Sequence, residues 1–184
     1  LGQQVERLVL PPVDDEEGNV DVTGGSWRGV PVATFPSFLL CPMCNRLGPR
    51  RKGIYDLRID KVRIDRTRYV HTNCQKATKG KPAAVPARFL VACDRGHLDD
   101  FPWVTFVHGG PTTCIGELTF SERGVSADAT DVLVKCKACD SKRVMAQAFG
   151  EDGLQDYKCR GRRPHLRDFQ PGCDAKLKAI LLGA

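Results

Sequence analysis

The chain has 184 residues, 41% of them hydrophobic, and a formal net charge of +6. That length suits one ordinary domain or two small ones sharing an interface, and the apolar fraction suits a folded chain rather than a disordered one. No stretch approaches the roughly eighteen consecutive apolar residues of a membrane-spanning helix, and LGQQVERLVLPP lacks the charged-then-apolar layout of a secretory signal. The expectation is a soluble cytoplasmic protein with no membrane partner, and the opening on Leu1 and the apolar close AILLGA read as a segment of something longer.

In chain order, residues 1–40 form a lead-in with an acidic loop, PPVDDEEGNVDVTGG, followed by WRGVPVATFPSFLL, where prolines 31 and 36 allow only short extended pieces. Residues 41–84 begin with Cys41-Pro42-Met43-Cys44 and continue as a basic stretch holding the mirror-like LRIDKVRI. A hairpin is expected there, with Leu57 and Ile59 facing Ile64 and Val62 across Asp60-Lys61. Residues 85–130 open with a strand over Val85 to Cys93. A short helix then carries Trp103, Phe106 and Val107 on one face, with Asp99 or Asp100 as its cap and Pro102 in its first turn. The pieces GELTFSE and DVLVKC read as extended. Residues 131–184 hold Cys136-Lys137-Ala138-Cys139, then a helix through SKRVMAQAF capped by Ser141 and ended by Gly150, then a loop-rich basic tail.

Nine cysteines dominate the composition. An odd count, two C-x-x-C pairs and no secretory signal argue against a disulfide framework and for metal. A structural zinc site wants four tetrahedral sulfur or nitrogen ligands, and C-x-x-C supplies two of them from one tight knuckle. Cys136 and Cys139 have only Cys159 and Cys173 downstream, which predicts C-x2-C-x19-C-x13-C as one site. Cys41 and Cys44 point to His71 and Cys74, whose H-T-N-C spacing resembles a second knuckle, with Cys93 as the alternative fourth ligand. That leaves Cys93, His97, His108 and Cys114 between the two sites. Three readings of this central stretch stand open: a third metal site, a packed core with capping histidines, or an open hydrolytic metal site built from His97, Asp99, Asp100 and His108.

Other catalytic templates fail. No H-x-E precedes the P-C-x-x-C as in zinc deaminases, and there is no Walker A, G-x-S-x-G or H-E-x-x-H motif. The chain is expected not to be an enzyme. Its cations cluster: residues 46–81 hold twelve Lys or Arg against three Asp, and KCRGRRPHLR adds five more. Such clusters beside zinc knuckles are placed to meet phosphates, which makes Arg50, Arg51, Lys52, Arg160, Arg162 and Arg163 the candidate nucleic-acid contacts.

The segments FLLCPMCNRLGP, VPARFLVACDRGHLDDFPWVTFVHGG, CKAC and CRGRRPHL, in that order and closed by a final Cys, resemble the DrmB family of bacterial DISARM anti-phage systems. The similarity runs from about Pro36 to Leu182, and GHLDDFPW and CRGRRP are its specific parts. His71 stands where a cysteine of a second C-x-x-C is expected, and His165 where a Trp is usual. The resemblance implies an accessory subunit that joins a DrmA-like helicase in a DNA-binding complex, with no catalytic residues in this region. The combined expectation is a small α+β module stapled by zinc, with two zinc-ribbon-like lobes around a mixed strand and helix centre, and with zinc in two sites and in a third if the central set binds. Its expected role is as a non-catalytic helicase accessory. A free-standing zinc-ribbon nucleic-acid-binding protein is the alternative, and a metal-dependent nuclease the third reading.

Overall fold

The computed structural model describes residues 34–51, 53–122, 132–150 and 152–182, so most of the expected lead-in and the candidate contact Lys52 lie outside the described residues. The architecture is α+β. Two antiparallel sheets, two short ribbons and two small helices enclose one main core.

The larger sheet begins with β1 (Phe38–Leu40) and β2 (Arg46–Pro49), paired Leu40 to Leu47 around the first C-x-x-C. β2 continues onto β8 (Leu118–Glu122), which pairs with β9 (Val132–Cys136), and β9 pairs with β10 (Lys142–Val144). In β8 and β9 burial alternates with the two-residue period of a strand, so Leu118 and Phe120 share the inner face with Val132, Val134 and Cys136. The other edge of the sheet is β5 (Val85–Pro86). Proline has no N–H for a further ladder, so an edge position suits Pro86.

There the single strand expected over Val85 to Cys93 divides. Ala87 still donates to Phe38 O at 3.0 Å, but the next residues enter a second sheet as β6 (Phe89–Cys93). β6 is flanked by β7 (Leu98–Asp100) and by β13 (Leu177–Leu181), with Leu177 opposite Cys93 and Leu181 opposite Phe89. The apolar run near the end of the sequence is thus a five-residue partner of the most buried strand.

Between the sheets lies α1 (Trp103–His108), which buries Trp103, Phe106 and Val107 as expected and ends at Gly109, whose φ of 73° is the left-handed conformation glycine tolerates. Its N-cap is Pro102, with no side-chain cap. Asp99 and Asp100 are strand residues of β7 whose carboxylates have other partners. The Trp103 ring meets Phe101 at 4.7 Å, Phe89 and Phe120 at 6.0 Å and Phe38 at 6.4 Å between centroids, joining both sheets through one side chain.

Two further local expectations are corrected. SKRV continues as β10, zipped to β9 by the knuckle turn, and only Ala146–Phe149 becomes helix (α2), which Gly150 does terminate. The basic hairpin is wider than LRIDKVRI: β3 (Tyr55–Arg58) pairs with β4 (Arg68–His71), and Leu57 faces Tyr69. The Asp60 carboxylate accepts the Val62 and Arg63 N–H groups at 3.1 and 2.8 Å, folding Ile64–Arg66 into a 3-10 turn where a tight two-residue turn was expected. The remaining ribbon joins β11 (Arg162–Arg163) to β12 (Asp168–Phe169).

Trp103 is 1% exposed and its contacts span both sheets. Trp103→Ala should lower stability by about 3 to 5 kcal/mol, read as a reduced denaturant midpoint of the metal-loaded protein. A change below about 1 kcal/mol would mean that the sheets are held together elsewhere.

Three candidate metal centres

Each C-x-x-C sits in the turn of an antiparallel hairpin, and the two turns are built alike. Cys41 N donates to Arg46 O at 2.9 Å and Cys136 N to Ser141 O at 2.8 Å. The residue after each second cysteine, Asn45 or Asp140, takes a left-handed φ of 61° or 58°. Asn and Asp tolerate that conformation better than other non-glycine residues. The hairpin turn between β6 and β7 offers a third ligand pair. Cys93 N donates to His97 O at 3.1 Å, Gly96 adopts φ 81°, and Cys93 and His97 converge on the same side.

Around these turns the thiols and imidazoles gather into three groups whose ligand atoms all lie within 4.8 Å of one another: Cys41, Cys44, His71 and Cys74; Cys93, His97, Cys159 and Cys173; and His108, Cys114, Cys136 and Cys139. Each group has three cysteines and one histidine. The first is the set expected from sequence. The other two take the same eight residues but exchange partners: Cys159 and Cys173 join Cys93 and His97, while His108 and Cys114 join Cys136 and Cys139. The predicted C-x2-C-x19-C-x13-C site does not form, and neither does the hydrolytic set, because His97 and His108 belong to different groups.

Two pieces of backbone explain the exchange. Pairing of β13 with β6 sets Leu177 opposite Cys93, and the bridge between Lys158 and Lys176 lays the segments before and after the β11–β12 ribbon side by side, carrying Cys159 and Cys173 to the β6–β7 turn. His108, the last residue of α1, is held against the second knuckle from the other side. There Arg143 donates to Phe106 O at 3.1 Å and lies 4.5 Å from the centre of the Phe106 ring.

The distances fit a tetrahedral ion. Ligation at about 2.3 Å from sulfur and about 2.0 Å from nitrogen places neighbouring sulfurs about 3.8 Å apart and sulfur and nitrogen about 3.5 Å apart. Cys41 and Cys74 sulfurs are 3.8 Å apart, those of Cys114 and Cys136 3.7 Å, and those of Cys114 and Cys139 3.8 Å. His71 Nδ1 is 3.4 Å from Cys44 Sγ, and His97 Nδ1 is 3.4 Å from Cys93 Sγ and 3.6 Å from Cys159 Sγ. All nine cysteines are free, and the quoted S···S distances are far beyond the roughly 2.05 Å of a disulfide.

Outer contacts orient His97 and His108 as metal ligands require, whereas the buried Nε2 of His71 has no hydrogen-bond partner among the described residues. His97 Nε2 donates to Gln170 Oε1 at 3.1 Å, leaving Nδ1 toward the sulfurs. His108 Nδ1 donates to Val104 O at 2.6 Å, while its buried Nε2 has no hydrogen-bond partner among the described residues. Gly116 completes this third group: a Cβ there would lie 2.4 Å from Cys136 Sγ and 2.6 Å from Ala138 Cβ. Gln170 and Gly116 carried no recognisable signal in the sequence.

Without metal the thiols share charge unevenly. The Ser141 side chain and backbone hold Cys139 down to about 6. Burial pushes Cys93 upward, but hydrogen bonds from the His97 and Arg95 backbone, with its neighbours Cys159 and His97, bring it down to about 7. Burial, reinforced by neighbouring thiols, pushes Cys44 and Cys159 up to about 11. An incoming cation must displace these last protons, so ligation releases acid and weakens as pH falls.

The carboxylates of Asp99 and Asp100 have a structural role. Asp99, 7% exposed, accepts from Arg160 Nε and Arg162 Nη1, both at 2.8 Å; Asp100 accepts from Arg162 Nη1 at 2.6 Å and from Ser37 N and Oγ at 2.6 and 2.7 Å. Arg163 pairs with Asp168 at 3.3 Å. The second candidate cluster, Arg160, Arg162 and Arg163, is therefore tied to carboxylates, with the Arg160 side chain 65% exposed. In the first cluster Arg50 donates to Tyr69 Oη at 3.0 Å and Arg51 is exposed.

Fold and sites together define a small α+β domain carrying three groups of three cysteines and one histidine at metal-binding spacing. The chain belongs to the family described as Domain of unknown function (DUF8724), whose model matches residues 1–184. It is similar to the DISARM protein DrmB of Bacillus paralicheniformis, with 30% identity over 160 residues, covering 85% of this chain and 26% of that protein. The chain thus spans about a quarter of the length of this curated relative.

The exchanged partnership is measurable. Cys93→Ser and Cys159→Ser should each remove one and the same metal equivalent, so the double variant loses no more than either single one. Cys93→Ser with Cys136→Ser should lose two. Gly116→Ala should weaken retention at the third group alone. If Cys136→Ser and Cys159→Ser prove redundant with each other, the sequential partnership is correct instead.

Proposed function

We propose that this chain is a non-catalytic zinc-binding module of a DrmB-type accessory protein in DISARM anti-phage defence, where it supports DNA binding and assembly with a DrmA-like helicase subunit. The observation that carries the reading is the trio of groups, each with three thiols and one imidazole at tetrahedral spacing. Soft sulfur with nitrogen in a tetrahedron selects zinc among the common ions, and four protein ligands leave no position for water or substrate, the mark of structural rather than catalytic zinc. His97, Asp99, Asp100 and His108 do not converge, and the two carboxylates already accept from Arg160, Arg162 and Ser37, which favours the non-enzymatic reading over a nuclease.

The defence role rests on the similarity to DrmB, and the DNA role on exposed cations beside the first metal group. No helix among the described residues is long and apolar enough to cross a membrane.

Elemental analysis of the purified protein should return three zinc per chain. A strong chelator should abolish the folded far-UV and near-UV circular dichroism together, because such sites do not preform in unfolded chains. Duplex DNA should be bound with an affinity that falls steeply with salt, and plasmid incubated with added divalent metal should stay intact. Fewer than two zinc per chain would overturn the metal reading, absence of DNA binding at low salt the DNA reading, and cleavage abolished by Asp99→Ala the non-catalytic one.

A further inference from the structure

The β3–β4 ribbon projects a tip whose composition does not suit a surface facing only water. Val62 is 89% exposed and Ile64 79%, with Ile59 and Leu57 about half exposed beside them. Around these sit Arg58, Lys61, Arg66 and Arg68, all exposed and without a carboxylate partner among the described residues. Arg58 and Arg68 are direct cross-strand neighbours. Like charges placed opposite each other oppose the pairing they sit on.

The tip is nevertheless built. Asp60 N donates to Thr67 Oγ1 at 3.2 Å, the Asp60 carboxylate caps the turn through Val62 N and Arg63 N, and Arg63 and Asp65 neutralise each other at 3.0 Å. The base is anchored by the first metal group, since His71 ends β4 and Tyr55, opposite it, donates to Arg46 O at 2.5 Å.

We infer that this ribbon is the element that contacts nucleic acid, entering the major groove of duplex DNA with Arg58, Lys61, Arg66 and Arg68 on phosphates and Val62 and Ile64 toward base edges. The inference rests on the DNA-binding reading above and names its site. A two-stranded ribbon fits the major groove, whose floor presents thymine methyl groups to aliphatic side chains. The two aliphatic tip residues favour duplex over single strands, which are held by stacking on exposed aromatic rings. The ribbon's one ring beyond its buried base, Tyr69, is half-buried and occupied by Arg50, whose guanidinium lies 5.8 Å from its centre. Among the described residues of the ribbon, four cations without a carboxylate partner and no free carboxylate give the charge complementarity, and an anionic partner relieves the Arg58 and Arg68 repulsion.

The test uses the metal-loaded 184-residue chain and a fluorescent duplex of about 30 base pairs. The variant Arg58→Ala, Lys61→Ala, Arg66→Ala, Arg68→Ala should keep its zinc and circular dichroism, because these side chains are exposed. Its log-log salt slope should drop by about 3 to 4 units, since each phosphate contact contributes about 0.9. Val62→Ser with Ile64→Ser should weaken duplex binding about tenfold at an unchanged salt slope. If the wild type binds duplex but both variants match it in affinity and slope, this assignment is overturned while the DNA reading stands. Unchanged duplex binding with loss of a protein partner would likewise overturn it and make the ribbon a protein-docking element. A wild type that binds no DNA overturns both.

Discussion

The pairing of β13 with β6 is the constraint on which the second sheet and two of the three metal groups depend. Five residue pairs, Leu177 with Cys93 through Leu181 with Phe89, return the end of the domain to its middle. That return sets Cys173 and Cys159 beside the β6–β7 turn and so commits Cys93 and His97 to them. Cys136 and Cys139 are then left for His108 and Cys114. The third group is consequently nested within the loop that the second one closes. Closing so long a loop is entropically costly, and a metal that binds only the closed form offsets that cost in the way a disulfide does.

This nesting is also why the metal chemistry was readable from sequence while its connectivity was not. Eight of the twelve candidate ligands followed from knuckle spacing and cysteine excess, which are local properties, while Cys93, His97, His108 and Cys114 stood open among three readings. Knuckle Cys41/Cys44 has its partners His71 and Cys74 on the ribbon that follows, and this set was assigned whole. The partners of Cys136 and Cys139 precede them, and nothing in spacing tells forward from backward pairing. The elements divide the same way. Alternation in GELTFSE and DVLVKC and the face of Trp103, Phe106 and Val107 were legible. SKRV went to strand because β9 offered a ladder, a tertiary preference that outweighs local helix propensity.

The same distinction applies to charge. Asp99 and Asp100 looked like caps or metal ligands, and Arg160 and Arg162 like phosphate contacts, because sequence cannot show that residues some sixty positions apart meet. Together they form a lock between β7 and the segment beginning at Cys159, in which Asp99, Asp100 and Arg162 are largely buried and Arg160 is exposed, and Ser37 ties the segment before β1 into it. Removing one carboxylate would strand a guanidinium with reduced access to water, a costly state. The lock secures this junction by ion pairing, and the second metal group would secure it from the other side by coordination.

Placing the cations in pairs changes what the net charge of +6 means. Arg46 and Lys137 both reach Glu117, at 3.4 and 2.6 Å, Arg88 meets Glu122, and Arg160, Arg162 and Arg163 have their own carboxylates. Three thiolates around one divalent ion would leave each group with a single negative charge, so the metal centres would add no positive field of their own. Of the cations without an ion pair among the described residues, Arg58, Lys61, Arg66 and Arg68 fall on the β3–β4 ribbon, and Lys76, Lys79 and Lys81 follow it in the chain. The first metal group then has a mechanical role: by holding His71 at the end of β4, a bound ion would fix the direction of an element that carries exposed aliphatic side chains and cations without a carboxylate partner among the described residues.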